Sequence, residues 1–452
     1  MNKLLIFPLF LGGILFSQQK TDSLEFRKIA DVVMNDGTAY EDLRHLTKKI
    51  GHRVSGSEAY EKAADWAVET LKKAGADKVW KQPVNVPVWM HGKESLAVKG
   101  TDGKWKKIRM LSLGNSEGTG GKDLSGALIV VRNFDEFNKL ADTDLKDKIV
   151  LFNYPFRQEI ISTMEGYGDA VKYRVMAASA VARRGGKAAI IRSVSTAFDD
   201  VPHTGVMHYQ EGVRKIPVVA VGPRTADELQ EMAARGVLVA RLNSNCGMRG
   251  EKPSFNVIGE LTGKDSKKVI VVGGHLDSWD VGEGAHDDGT GIVQSIEVLR
   301  ALKKTAYRNH HTIRVVCFAN EENGARGGNA YADSLQLKKE PHIFALESDA
   351  GGFSPRGFGL IGTAEQKKQI RSWAPLFLPY GVYDFSIEEG GVDIDPMKKS
   401  GIALSGLIPD SQRYFDIHHS DADTFEKVNR RELLLGATVM TQMIYMIDRY
   451  WK

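Results

Sequence analysis

Residues 269–304 read VIVVGGHLDSWDVGEGAHDDGTGIVQSIEVLRALKK. A β-branched apolar run stops at two glycines, an acidic, Gly-rich loop follows, and from Thr290 to Lys304 apolar residues recur at helical spacing. The stretch reads as strand, loop and helix. The pattern repeats downstream. TIRVVCFAN (312–320) runs into Glu321 and Glu322 and then a helix over 324–337, and HIFALESD (342–349) is a third strand. Strands that alternate with helices predict an α/β fold with a mixed, mainly parallel sheet flanked by helices. Ligands of such sheets bind beyond the carboxyl ends of the strands. At those ends the three strands carry His275, the Glu321–Glu322 pair and Asp349.

These residue types point to metal chemistry. The loop between His275 and Gly291 can bend its carboxylates back toward a cation, because its glycines relieve backbone clashes. Asp287 stands just before the Thr290 helix, where an Asp is commonly a cap. Beside His275 and two acidic strand ends it reads as a ligand, with Asp288 as the cap. His, Asp and Glu without Cys suit a catalytic site rather than a closed structural one. Paired carboxylates with imidazoles suit a two-metal hydrolase, in which one carboxylate must bridge the ions, and Asp287 is the candidate bridge. Of Glu321 and Glu322, one could bind metal while the other moves a proton. The C-terminal stretch RYFDIHHSDADTFEKV (413–428) offers His418 or His419 as a further ligand. Asp421, Asp423 and Thr424 are candidates to orient it, and Asp277 could do the same beside His275.

The remaining chain sets the frame. Its 452 residues exceed one ordinary core, and 42% apolar with 26% charged residues is a globular balance. A net charge of +4 gives no reason to expect nucleic acid or an anionic membrane as partner. Lys3 followed by the apolar run Leu4–Phe16 and the small Ser17 has the layout of a signal peptide over residues 1–17, which predicts an exported protein without stable membrane insertion after cleavage. Residues 24–113 form a first segment, with helices over 40–50 and 57–74 and strands after Val79. Residues 114–250 form a second, β-rich or α/β region, with strands such as ALIVVR, KIVLFN and AAIIRS and helices over 167–184 and 225–235. Residues 251–452 carry the chemistry. Within the second region, His203 and His208 read as a solvated loop near the mouth of the site. Cys246 and Cys317 show no spacing that suggests a bridge or a zinc motif.

The ordered set H-x-D, G-A-x-D-D, E-E, D-x-G-G and H-H-S-x-x-D-T resembles the M28 family of two-zinc peptidases, over about residues 24–452. That resemblance implies a zinc exopeptidase fold in which 114–250 is an inserted protease-associated domain, two zinc ions per chain, a peptide substrate and a homodimer. It implies His275 and Asp349 on one zinc, Glu322 and His419 on the other, Asp287 between them, Glu321 as general base and Asp277 orienting His275. His419 is preferred to His418 because the family places its ligand directly before Ser or Thr, here Ser420. GGVDIDPMKKSGIALSGLIPD (390–410) resembles the segment that lines the family's substrate pocket, and Asp393 and Tyr414 are weaker candidates there. The resemblance implies hydrolysis of dipeptides or short peptides with a free terminus, in the manner of a carboxypeptidase. Aminopeptidase action is the alternative within the family. The family's cyclase branch and a non-catalytic binding protein are the others, although no ligand of the set is missing.

Overall fold

The computed structural model describes residues 9–451. Of the predicted signal peptide, residues 1–8 lie outside the described residues; the first described element is the helix Leu9–Asp36. No helix among the described residues is long and apolar enough to cross a membrane.

Two sheets organise the chain. The main sheet has seven strands in the order Lys78–Met90, Gly247–Leu261, His311–Phe318, Asp265–His275, His342–Glu347, Ala403–Pro409, Pro355–Ile361. Its four consecutive strands from His311–Phe318 to Ala403–Pro409 run parallel, and the outer pairings are antiparallel. The mixed α/β sheet expected from the alternating pattern is therefore present, with its parallel part confined to the centre. Register levels the strand ends: His275 pairs with Phe318, and Gly273 with Glu347. Residues that follow these ends must then gather along one edge.

Helices cover both faces. The helix Thr290–Lys304 has the expected bounds and is buried from Thr290 to Leu302, packed between the sheet and the C-terminal helix Arg430–Tyr450. A helix enclosed on every side can carry apolar residues around most of its circumference. The helix Glu58–Lys73 is amphipathic. Ser57 caps it by accepting from the Tyr60 N–H, Lys72 and Lys73 end it, and Tyr60, Ala63, Ala64, Ala67 and Leu71 face the core. Full burial of a side chain such as Leu71 contributes roughly 2 kcal/mol.

The second sheet has eight strands and occupies the stretch between the long strands Lys78–Met90 and Gly247–Leu261, which pair with each other along most of their length. Its centre, Leu124–Val131, Ile149–Phe152, Ala188–Arg192 and Val218–Val221, is parallel, and the helices Thr163–Arg183 and Pro223–Ala234 pack on it. Alternate residues feed opposite faces: Ile149 and Leu151 enter one core, Val150 and Phe152 the other. The sheet begins earlier in the chain than the expected boundary at 114. Glu94–Lys99, Trp105–Ile108 and Met110–Ser112 all belong to it, because Glu94–Lys99 pairs with the distant strand Leu238–Ser244. Short alternating strands do not disclose such a partner. Cys246 and Cys317 are buried free thiols.

Candidate metal centre

His275, Asp287, Glu321, Glu322, Asp349 and His419 converge at the carboxyl edge of the main sheet. Asp287 is central. Its Oδ1 lies 3.2 Å from His275 Nε2, and its Oδ2 lies 3.1 Å from His419 Nε2. Asp349 Oδ1 is 3.3 Å from His275 Nε2, and Glu322 Oε2 is 3.1 Å from His419 Nε2. Two ligand groups close within metal-binding reach: His275, Asp287 and Asp349, and Asp287, His418 and His419. Both contain Asp287. His418 is the more distant imidazole, 3.6 Å from Asp287 Oδ2. Its ring stacks on His419 and packs among Tyr167, Tyr414 and Phe415. Tyr414, a pocket candidate in the sequence, thus serves as packing for His418.

The site fits cations. His275 Nε2 and Asp287 Oδ2 are buried and make no hydrogen bond. Four carboxylates crowd two imidazoles here, and buried charge of one sign is costly without a counter-ion. Burial opposes the charged form of Asp287, yet His275 and His419 hold its carboxyl well below the ordinary range. Burial likewise opposes protonation of His419, but Glu322 and Asp287 lift it to about 10. Burial and the Asp287 charge push Glu322 up to about 7. Burial sets Glu321 well above the usual carboxylate range; His275 pulls it down, and Asp349, Glu322 and Asp277 add to the rise. Glu321 Oε2 stands 4.0 Å from His275 Nε2.

The supporting contacts differ from expectation at several points. Asp277 orients His275 through its main-chain carbonyl, 3.0 Å from Nδ1. Its carboxylate instead accepts from the N–H groups of Glu321 and Glu322 at 3.1 and 3.3 Å and from the Ser55 hydroxyl at 3.1 Å. This pins the turn that lets two adjacent residues face one site. Asp288 behaves as the expected cap, accepting from the Gly291 N–H at 3.0 Å, while its other oxygen takes the His275 N–H at 3.0 Å. A side chain at Gly274 would strike that carboxylate, since a Cβ there would lie 2.2 Å from Asp288 Oδ2. Asp423 accepts from the backbone of His286 and Asp287 rather than orienting an imidazole. Asp421 pairs with Arg109 at the surface. Asp393 is fully buried beneath Glu321 and Glu347, with neither oxygen hydrogen-bonded, and does not line the cavity beside Asp349.

The inserted region reaches the site, which corrects the reading of His203 as solvated. His203 is 2% exposed, and its Nδ1–H donates to the His418 carbonyl at 2.6 Å. The next residue, Thr204, donates its N–H to the His419 carbonyl at 2.8 Å. His208 remains exposed. Four further residues escaped the sequence reading. Arg53 is buried and donates to the carbonyls of Leu276, Glu283 and Gly284, stitching the acidic loop closed. Trp279 donates its main-chain N–H to Glu322 Oε1 at 3.2 Å, and its ring packs edge-to-face with that of His419. Gly114 leaves room for the indole, since a Cβ there would lie 1.8 Å from it. Arg174 approaches His419 from the inserted region.

Comparison with known proteins gives the family of the chain. Residues 256–444 match peptidase family M28. The chain is 33% identical to human carboxypeptidase Q over 411 residues, covering 90% of this chain and 85% of that protein. The crystal structure of a peptidase M28 precursor from Shewanella amazonensis superposes with a TM-score of 0.90 at 30% identity, covering 96% of this chain and 98% of that one. A zinc aminopeptidase from Bacillus subtilis shares the fold, with a TM-score of 0.67 at 21% identity over 92% of this chain and 96% of that one. The chain belongs to peptidase family M28 and is a metallopeptidase.

Proposed function

We propose that the chain is a two-zinc exopeptidase of dipeptides or short peptides. One observation carries the reading: the two oxygens of Asp287 each face a different imidazole, at 3.2 and 3.1 Å. His275 and Asp349 would hold one zinc and Glu322 and His419 the other, with Asp287 shared. Bound zinc supplies Lewis acidity toward the peptide carbonyl and lowers the pKa of water. Glu321 moves the proton from the attacking water to the leaving amine. Burial sets its carboxyl above the ordinary carboxylate range, the direction that favours its role in carrying a proton. Asp277 keeps Glu321 and Glu322 on the same side of the chain. The inserted region is read as a protease-associated domain that clasps the His418–His419 segment.

A cavity of about 390 Å³ opens beside Asp349 and favours a second reading of the terminus recognised. Glu165, Glu347, Glu388 and Glu389 line it together with Asp349, and no Lys or Arg does. Asp349 would serve a zinc and Glu388 is paired with Lys367; the remaining carboxyls, such as Glu165 and Glu389, favour a free ammonium over a carboxylate, which supports aminopeptidase action on the same scaffold. Dipeptides blocked at one end or the other decide: tolerance of a carboxyl block with loss on acetylation supports the amino-terminal reading, and the reverse supports carboxypeptidase action. Glu321→Gln tests the chemistry. It should keep its zinc and lose about 10²–10⁴-fold in turnover; full activity would remove Glu321 from the mechanism.

A further inference from the structure

The two imidazoles that face Asp287 are treated differently at their other nitrogen. His275 Nδ1 meets an acceptor, the Asp277 carbonyl, at 3.0 Å. That contact keeps the proton on Nδ1 and leaves Nε2 free as a basic ligand atom. His419 Nδ1 meets the Arg174 Nη1 at 3.4 Å. A guanidinium has donors only and keeps its charge. A proton on His419 Nδ1 would point at another N–H, and a fixed positive charge stands behind the ring.

The contact is built into the fold. Arg174 lies on the helix Thr163–Arg183 and is 5% exposed. Its Nε donates to the Val206 carbonyl at 3.2 Å and its Nη2 to the Tyr167 hydroxyl at 2.7 Å. A carbonyl, a phenol and an imidazole leave its charge unneutralised by these partners. Gly205 makes the approach possible. Its φ is 123°, and a Cβ there would lie 2.5 Å from Arg174 Nη1 and 2.6 Å from His419 Nδ1.

We infer that Arg174 makes the His419 position the weaker of the two zinc positions, so that the inserted region sets an unequal metal affinity within one centre. The inference rests on His419 being a ligand, as proposed above. A cation behind the ring disfavours positive charge arriving at Nε2, whereas the carbonyl behind His275 favours it. Arg174 is thus a positioning residue that acts through His419.

Zinc titration of the metal-stripped full chain against a competing chelator tests this. Two unequal steps are expected, with the weaker absent in His419→Ala. Arg174→Gln should tighten the weaker step by about tenfold and leave the tighter step unmoved. A role as a mere clamp predicts the opposite sign, so a weakened or unchanged step in Arg174→Gln overturns the inference, as do two equal steps in the parent chain. Arg174→Lys keeps the charge but loses the planar fork. It should keep the gap between the steps, and a further weakening of the weak step would again favour the clamp. Should Arg174→Gln not fold, as judged by its thermal unfolding, Arg174→Met, which removes the charge and keeps an apolar stem, is read in its place with the same outcomes. Two intact steps in His419→Ala would instead overturn the assignment of His419, and this inference with it.

Discussion

The His275 half and the His419 half of the centre are built by different means. His275 is the last residue of a central parallel strand, and its partner Asp349 closely follows the neighbouring strand His342–Glu347. Its second nitrogen is satisfied two residues along the same chain. His419 sits in an irregular segment, with a left-handed backbone at φ 60°. Such a conformation costs a non-glycine residue of the order of 1–3 kcal/mol and persists only where its surroundings hold it. Those surroundings come from the inserted region: His203 and Thr204 bind the carbonyls of His418 and His419, and Arg174 faces the His419 ring. One half is a property of the main sheet. The other combines Glu322 and Asp287 from the main-sheet region with a His419 segment that the inserted region also holds.

The difference can be broken at the group the halves share. Asp287→Ala should empty both halves together and lower peptidase activity by on the order of 10³-fold, the scale of losing electrostatic stabilisation at a reacting centre. Zinc content and turnover on a dipeptide check it, and a variant that keeps one zinc with substantial activity would break the shared-ligand account. Asp277→Asn should lower turnover by about 10–100-fold, the effect of disturbing a group that orients ligands. It should act on Glu321 and Glu322 together, because its carboxylate holds both N–H groups. His203→Ala acts on one half alone. Leaving the buried His418 carbonyl unpaired should cost about 1–3 kcal/mol in thermal or denaturant unfolding, and should weaken only the zinc step that His419→Ala removes. The smallest effect is expected from His418→Phe. Its ring packs among aromatic neighbours, so zinc stoichiometry should stay unchanged and turnover should fall only a few-fold, on the scale of altered packing.

The same contrast explains how much could be read from the chain. His275, Asp287, the Glu321–Glu322 pair and Asp349 are legible because a parallel sheet delivers its strand ends to one edge, and each strand is a short local pattern. Thr290–Lys304 is legible for the same reason, since its periodicity is local and its bounds match. His419 could be separated from His418 only through the family pattern, because nothing local tells two adjacent imidazoles in an irregular segment apart. Arg53 is not marked in the sequence, and the contacts of Asp423 and His203 are not either, because each bonds to backbone groups far away in sequence: Asp423 to the Asp287 N–H, Arg53 to the Gly284 carbonyl, His203 to the His418 carbonyl. A backbone donor or acceptor leaves no mark on the residue that supplies it. Asp277 was read for the right neighbourhood and the wrong atom. Its carbonyl, available at any residue, orients His275, and its carboxylate serves the strand beyond. The early start of the second sheet at Glu94 was hidden likewise, by a pairing with Leu238–Ser244.

The central claim is that one aspartate joins two metal positions of unlike construction. Anomalous X-ray scattering from zinc-loaded crystals of the full chain tests it most directly. Two zinc peaks should flank the Asp287 carboxylate, one held by His275 and Asp349, the other by Glu322 and His419, with the second losing occupancy first as zinc is withdrawn. A single peak, or a second peak held by His418 with His419 turned away, would contradict the account.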